Sequence, residues 1–124
     1  RKIGKTTILT FKKRLPSEAG IKHQIEHETK VEDADELEKI IDNLGFEKRL
    51  IYEKCREIWK LREVEILLDK LPFGLYLEIE GTLMAIKEAE MILEADGFEI
   101  EHKTYPNLTS ELGIQQGNFI EARF

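Results

Sequence analysis

Five segments of this chain have the β-branched composition or the alternation of apolar and polar residues that is typical of β-strands. The predicted strands are, in chain order, Thr6–Lys13, Ile21–Val31, Phe46–Trp59, Glu63–Asp69 and Leu75–Glu80. A loop from Leu15 to Gly20 separates the first two. The last three are joined at Leu61-Arg62 and at Leu71–Gly74, and turns this short favour antiparallel neighbours.

Two other segments have the apolar spacing of amphipathic helices. The first is Ala34–Leu44, with Asp33 as its N-cap and Gly45 as its stop. The second is Leu83–Ala95, which we expect to end at Gly97. Clustered antiparallel strands with helices beside them predict an α+β fold and not a parallel doubly wound one.

Length and composition predict one domain over residues 1–124, with a short tail after Phe98 and no element assigned to Gln115–Phe124. No apolar run approaches the length of a membrane span, so no membrane partner is predicted. The net charge of -6 argues against a nucleic-acid partner. The single cysteine, Cys55, excludes an internal disulfide, which favours a reducing cytoplasm.

The predicted strands carry charged residues on one face, because residues two apart in a strand share a face. In Leu75–Glu80, for example, Leu75, Leu77 and Ile79 oppose Tyr76, Glu78 and Glu80. The other charged or polar faces contain Thr10, Lys12 and Arg14, then Lys22, Gln24, Glu26, Glu28 and Lys30, then Lys48, Tyr52, Lys54 and Arg56.

Two interpretations fit these charged faces. In the first, each sheet is half-exposed and its charged face meets solvent, which is common in antiparallel sheets. In the second, the apolar faces point outward and the charged faces line the lumen of a barrel. Breaking a buried ion pair costs about 3–5 kcal/mol, so such a lumen makes sense only around a highly charged guest. Its cations would bind phosphates, and its carboxylates would bind Mg²⁺ or Mn²⁺.

Short motifs occur along the chain in a particular order. They are Ile8–Lys12 (LTxK-like), Gln24–Glu28 with its ExE pair, Leu44-Gly45-Phe46, Lys54-Cys55-Arg56 (KxR), Leu68-Asp69, Gly74–Glu80 (G-x-Y-x-E-I-E) and Thr104-Tyr105. Their order and spacing resemble the CYTH superfamily, or triphosphate tunnel enzymes, which includes class IV adenylyl cyclases, thiamine triphosphatases and inorganic triphosphatases. The resemblance extends from Arg1 to about Asn107.

The resemblance implies an antiparallel β-barrel, the triphosphate tunnel, with a polar lumen and with helices packed outside. The family's N-terminal ExExK strand is not in this sequence, and Arg1 resembles the last residue of an RxR pair. Either the full-length protein is longer than the sequence given, or its barrel is degenerate and open. We expect the first, because loss of those strands would expose a sheet edge and remove part of the metal site.

Site roles also follow from the resemblance. The substrate-binding residues would be Arg1, Lys12, Lys54, Arg56 and Lys103. The ligands of Mg²⁺ or Mn²⁺ would be Asp69, Glu78 and Glu80. The catalytic set would combine Lys54 and Arg56 with Glu26 and Glu28.

The preferred function is metal-dependent hydrolysis of a triphosphate, whether inorganic, thiamine or nucleoside triphosphate, because hydrolysis needs only the charged clamp and a water. The alternative is class IV adenylyl cyclase activity, which converts ATP to cyclic AMP and pyrophosphate. A second alternative is a triphosphate- or polyphosphate-binding module without catalysis. By analogy with the family, the protein would be cytoplasmic and a possible homodimer.

Overall fold

The computed structural model describes residues 1–16 and 23–124, with only the backbone described at Asp96. The elements in these ranges are β1 (Lys2–Ile3), β2 (Thr6–Leu15), β3 (His23–Val31), α1 (Ala34–Asn43), β4 (Leu50–Tyr52), β5 (Cys55–Leu61), β6 (Val64–Leu71), β7 (Gly74–Glu80), α2 (Leu83–Ile92), a 3₁₀ turn (Ala95–Gly97), α3 (Tyr105–Leu112), β8 (Ile114–Gln116) and β9 (Phe119–Ala122). Helices beside largely antiparallel sheets confirm the α+β class. The predicted loop beyond Pro16, and the predicted strand positions Ile21 and Lys22, lie outside the described residues.

The chain divides into two compact units, and the first, Arg1–Glu47, contains an antiparallel sheet of β1, β2 and β3. Its register places Lys12 opposite Glu26 and Thr10 opposite Glu28. The charged side chains of β2 and β3 therefore share one face, as their spacing predicts. Among the described residues of this unit, none is fully buried.

Helix α1 confirms the first helix prediction at both ends. The Asp33 carboxylate accepts a hydrogen bond from the Glu36 backbone N–H at 2.9 Å, which satisfies one of the free donors of the first turn. Leu44 is the C-cap, and Gly45 follows with a φ of 88°, a conformation that glycine adopts at low cost.

The second unit, Lys48–Phe124, contains two sheets. One is the antiparallel sheet of β5, β6 and β7, as predicted. In the other, β9 lies between β4 and β8, parallel to β4 and antiparallel to β8. The buried apolar side chains lie mostly on β6, α2 and α3: Val64, Ile66, Leu67, Leu71, Ile86, Ala89, Leu108 and Ala122.

The prediction of one strand over Phe46–Trp59 was wrong, because this segment forms two strands in different sheets. Strand β4 pairs with β9, whereas β5 pairs with β6. The Glu53 backbone N–H still donates to the Ala122 carbonyl at 2.9 Å, directly after β4 ends. Alternation of residue types continues through such a change of partner, so the sequence pattern does not reveal it.

The second predicted helix, Leu83–Ala95, was too long by about one turn. Helix α2 ends at Ile92, and Glu94 adopts a left-handed conformation with a φ of 50°. Gly97 belongs to the separate 3₁₀ turn instead of ending α2.

The predicted tail after Phe98 was also wrong, because it contains α3, β8 and β9. Helix α3 begins with a capping box in which Thr104 and Asn107 satisfy each other's backbone donors, and Pro106 lies in its first turn. Gly117, with a φ of 60°, lies in the two-residue connection between β8 and β9. The residue types of this capping box and this turn are visible in the sequence and could have predicted the two elements.

In part of the β5–β6–β7 sheet, apolar side chains are exposed on one face while a charged side chain is buried on the other. Leu75 is 81% exposed and Leu77 is 49% exposed, although both are apolar. Asp69 lies on the other face and is only 1% exposed. Around Asp69 the charged face is therefore the inner one, as in the second interpretation of the pattern. Val64 and Ile66 share the face of Leu75 and Leu77 but are buried, so the inversion does not extend over the whole sheet. The closed barrel implied by the resemblance stays a prediction.

Candidate functional site

Charged and aromatic side chains converge on the inner face of the β5–β6–β7 sheet. Strand register places Arg56 directly opposite Asp69, and Asp69 opposite Tyr76. Lys54 precedes Arg56 by two residues, and Glu78 follows Tyr76 by two, so both lie on this face. With Tyr105 from α3, we call Lys54, Arg56, Asp69, Glu78 and Tyr105 the Asp69 cluster.

Asp69 is the centre of the cluster. Its Oδ1 accepts from Arg56 Nε at 2.6 Å, and its Oδ2 accepts from Arg56 Nη2 at 2.6 Å, so the guanidinium binds in bidentate fashion. Lys54 Nζ and Tyr105 Oη also donate to Oδ2, at 3.0 Å and 2.8 Å. Burial by itself raises the pKa of Asp69, but the hydrogen bonds from Arg56, Tyr105 and Lys54 outweigh it and lower the pKa to about 2.

The two cations of the cluster keep donors beyond those that Asp69 uses. Arg56 Nη2 also donates to Glu78 Oε2 at 2.8 Å, and Arg56 Nη1 has no hydrogen-bond partner among the described residues. The hydrogen bonds to Asp69 raise the pKa of Arg56, so its charge is permanent. Burial lowers the pKa of Lys54, although Asp69 opposes the change. Both side chains are about three-quarters buried, which weakens competition from water.

Tyr105 connects α3 to this cluster. Its ring lies edge-on to the rings of Tyr76 and Tyr52, with centroids 5.5 Å and 6.4 Å away. Lys54 Nζ lies 5.0 Å from the Tyr105 centroid, within cation–π range. Burial and the hydrogen bond to Asp69 both raise the pKa of Tyr105, so its hydroxyl keeps its proton. The sequence indicated Tyr105 only as part of a motif and gave it no role.

A second group of charged residues lies on the sheet of the first unit. Arg1 forms an ion pair with Glu28 at 2.7 Å, and Lys12 forms one with Glu26 at 3.0 Å. Thr10 Oγ1 donates to Glu28 at 3.0 Å. The hydrogen bond from Lys12 lowers the pKa of Glu26, against the effect of burial. Both carboxylates of the ExE pair therefore contact cations within this unit.

Two predicted site residues, Lys103 and Glu80, are not members of the Asp69 cluster. Lys103 forms an ion pair with Glu111 of α3 at 2.6 Å, and this carboxylate raises its pKa. Glu80 follows Glu78 by two residues on β7, and its charge contributes to the raised pKa of Arg56. Over residues 1–16 and 23–124, no three histidine, cysteine or acidic side chains are grouped so as to hold a metal ion by themselves.

The family comparison agrees with the sequence motifs. Residues 1–121 match the CYTH domain. The chain belongs to the CYTH domain family. No solved structure matches this CYTH chain at a significant level. None of the helices in the described ranges has both the length and the apolar character that a membrane crossing requires.

One relative of the CYTH chain comes from Methanocaldococcus jannaschii and is named "Putative adenylate cyclase MJ0240". The two sequences are 36% identical over 70 residues. The matched segment covers 56% of this chain and 40% of the relative, so the match spans less than half the length of that protein.

Proposed function

We propose that this CYTH chain is the catalytic part of an enzyme that hydrolyses a triphosphate, either inorganic or attached to thiamine or a nucleoside, with a divalent metal ion. One observation carries the proposal. Lys54 and Arg56 are held side by side by the buried carboxylate of Asp69, and both keep donors for a further anion. Phosphate oxygens are the natural acceptors for paired, oriented cations of this kind.

Because these cations are already held in position, they favour both the binding of the triphosphate and its hydrolysis. Because Asp69 already orients them, little side-chain entropy remains to be lost when a triphosphate binds. Negative charge develops on the oxygen of the leaving phosphate as its bond to phosphorus breaks, and preorganised cations stabilise this charge without reorganising. In this proposal Arg56 and Lys54 bind and orient the triphosphate and stabilise that charge.

Glu78 and Glu80 fit a divalent metal better than Asp69 does. Mg²⁺ is usually held by one or two carboxylates together with substrate phosphates, and these two glutamates share a face of β7. Asp69 is the weakest of the predicted ligands, because both its oxygens already accept hydrogen bonds from cationic side chains. When bound, Mg²⁺ or Mn²⁺ supplies positive charge that reduces repulsion between the phosphates and the attacking water.

The remaining predicted roles belong to the same proposal. By the family resemblance, Arg1 and Lys12 would bind phosphate, and Glu26 and Glu28, which pair with Lys12 and Arg1, would orient them. Lys103 would bind substrate less directly, since it pairs with Glu111. The tunnel, the homodimer and the cytoplasmic location rest on the family resemblance and the composition.

Adenylyl cyclase activity is the second candidate, and the name of the M. jannaschii relative favours it. The same cations would serve this reaction, in which the ribose 3′-hydroxyl attacks the α-phosphorus and pyrophosphate leaves. We place hydrolysis first because it requires only the cationic clamp and a water, whereas cyclisation also requires a site that holds adenine and bends the ribose.

An assay of the full-length protein with Mg²⁺ or Mn²⁺ tests the proposal. ATP, thiamine triphosphate and inorganic tripolyphosphate are compared, and phosphate, pyrophosphate and cyclic AMP are all measured. Phosphate release would support hydrolysis and rank the substrates. Cyclic AMP with pyrophosphate would establish the cyclase instead. Tight tripolyphosphate binding with no product would make the protein a binding module and overturn the catalytic proposal.

A pair of glutamate variants tests the metal assignment in the same assay. We expect Glu78→Gln to lower metal-dependent turnover by about 100-fold, because a neutral amide is a poor ligand for a hard cation. Glu57→Gln is the matched control, since Glu57 is exposed and faces the other side of the sheet, opposite Leu68. Activity that survives Glu78→Gln would exclude Glu78 as a ligand.

A further inference from the structure

The hydroxyl of Tyr105 shares an acceptor with Lys54. Both donate to Oδ2 of Asp69, at 2.8 Å and 3.0 Å, and Arg56 Nη2 donates to the same oxygen. A carboxylate oxygen has about two lone pairs, so each of these donors limits how strongly the others bind. Tyr105 occupies part of the acceptor capacity of Asp69 without adding a charge of its own.

The position of Tyr105 is fixed from two sides. It is the first residue of α3, where the Thr104 cap and Pro106 define the start of the helix. Its ring packs edge-on against those of Tyr52 and Tyr76. The hydroxyl therefore reaches Asp69 from a fixed direction, and the ring beside Lys54 limits where the ammonium can move.

We infer that Tyr105 is a positioning residue, which acts through Asp69 to hold the Lys54 ammonium where it binds a phosphate of the substrate. This inference rests on the proposed function, because the phosphate that Lys54 binds belongs to the proposed triphosphate. Tyr105 keeps Lys54 from closing fully onto Asp69, so ammonium hydrogens stay directed to the ligand. Removal of the hydroxyl lets Lys54 pair more tightly with Asp69 and bind phosphate less well.

The test measures tripolyphosphate affinity by calorimetry for the full-length wild type, Tyr105→Phe and Tyr76→Phe. Tyr105→Phe keeps the ring and removes only the hydroxyl. We expect it to weaken affinity by about threefold to tenfold, the range of an ordinary hydrogen bond, because the hydroxyl acts on the ligand only through Asp69 and Lys54. Tyr76→Phe is the matched control, because the Tyr76 ring contacts Tyr105 while its hydroxyl makes no hydrogen bond within the described residues. It should leave affinity unchanged.

A double-mutant cycle separates positioning from a general structural effect. If Tyr105 acts on substrate through Lys54, Tyr105→Phe should have no further effect on affinity in a Lys54→Met background. A structural role would weaken binding by the same factor in both backgrounds. Circular dichroism at the assay temperature confirms that every variant compared is folded.

The outcomes distinguish the inference from the proposed function. Weaker binding in Tyr105→Phe that disappears in the Lys54→Met background supports the inference. Unchanged binding in Tyr105→Phe, or an equal loss in both backgrounds, overturns the inference alone. A wild type that binds neither tripolyphosphate nor any other triphosphate overturns the proposed function, and the inference with it.

Discussion

Asp69 is the residue on which the site depends, because it brings together three donors from two separate parts of the chain. The sequence predicted it as a metal ligand from its place in a motif. The structure surrounds it instead with Arg56, Lys54 and Tyr105 as hydrogen-bond donors. A buried carboxylate with these partners stays ionised and orients the cations around it, and this role requires no metal contact.

The lowered pKa of Asp69 predicts acid sensitivity. Its pKa falls from an ordinary 3.8 to about 2 in the folded chain, so the unfolded state binds the proton more readily. The stabilisation is complete above pH ~4 and is lost as the pH falls toward 2, with a magnitude of about 2 kcal/mol. Urea unfolding between about pH 5 and pH 2 measures this pH-dependent part of the free energy of unfolding. Asp69→Asn should lower stability at neutral pH and remove this part of the pH dependence; a parallel profile in the variant would contradict the assignment.

The geometry of Arg56 predicts that its positive charge alone is not sufficient for full tripolyphosphate affinity. Arg56→Lys keeps the charge but cannot bind Asp69 in bidentate fashion while also donating to Glu78. We expect tripolyphosphate affinity to fall about tenfold, with little change in its salt dependence because the net charge is conserved. Calorimetry at low and high salt checks both points. Arg62→Lys is the matched control, since Arg62 is an exposed partner of Glu88.

At the scale of elements, α3 connects the site to the β4–β9–β8 sheet. Its first residue, Tyr105, reaches Asp69, and its buried residues Leu108 and Thr109 belong to the core. The chain then passes through Gly113 directly into β8. A change in how α3 packs against this sheet should therefore move Tyr105 and alter its hydrogen bond to Asp69.

The close packing at Gly113 predicts that adding even one methyl group at this position lowers the stability of the protein. A Cβ at this position would lie 2.5 Å from the Thr109 carbonyl oxygen and 2.7 Å from Ile120 Cγ2. Gly113→Ala should therefore destabilise the protein by about 1–3 kcal/mol, the usual cost of overpacking. Gly97→Ala is the matched control, because nothing lies within 4 Å of its added Cβ. Chemical denaturation compares the two, and equal stabilities would contradict the packing at Gly113.

At the scale of the whole molecule, polarity and burial are distributed unusually over the β5–β6–β7 sheet. The inner face combines Leu67 with the charged Asp69 cluster, whereas the outer face buries Val64 and Ile66 and leaves Leu75 and Leu77 exposed. Substitution should therefore be costly at the buried positions of either face, which include Asp69, and tolerated at the exposed leucines.

Leucine substitutions on the two faces test this distribution. Leu67 is 1% exposed, so Leu67→Ala should cost about 2–5 kcal/mol in the free energy of unfolding. Leu75 is 81% exposed, so Leu75→Ala should change stability by less than about 0.5 kcal/mol. Both are measured by urea unfolding. A large loss in Leu75→Ala would show that the outer face is covered in the folded protein.

The sequence by itself determined which charged residues share a face. The twofold alternation of a strand placed Lys54 with Arg56, Glu78 with Glu80, and Glu26 with Glu28, because backbone geometry fixes this spacing wherever a strand forms. The same local rules identified α1 through its cap at Asp33. These features depend on neighbours a few residues apart, so a sequence pattern contains them.

Only the tertiary structure decided which strands pair and which groups meet. The contact between Tyr105 and Asp69 joins residues 36 positions apart, and the parallel pairing of β4 with β9 joins Leu50 with Ile120. Such choices depend on the packing energy of the whole unit, which local alternation does not record. For the same reason the sequence pattern did not contain the hydrogen bonds of Asp69 with Lys54 and Arg56. The role of Asp69 as a metal ligand stays a prediction.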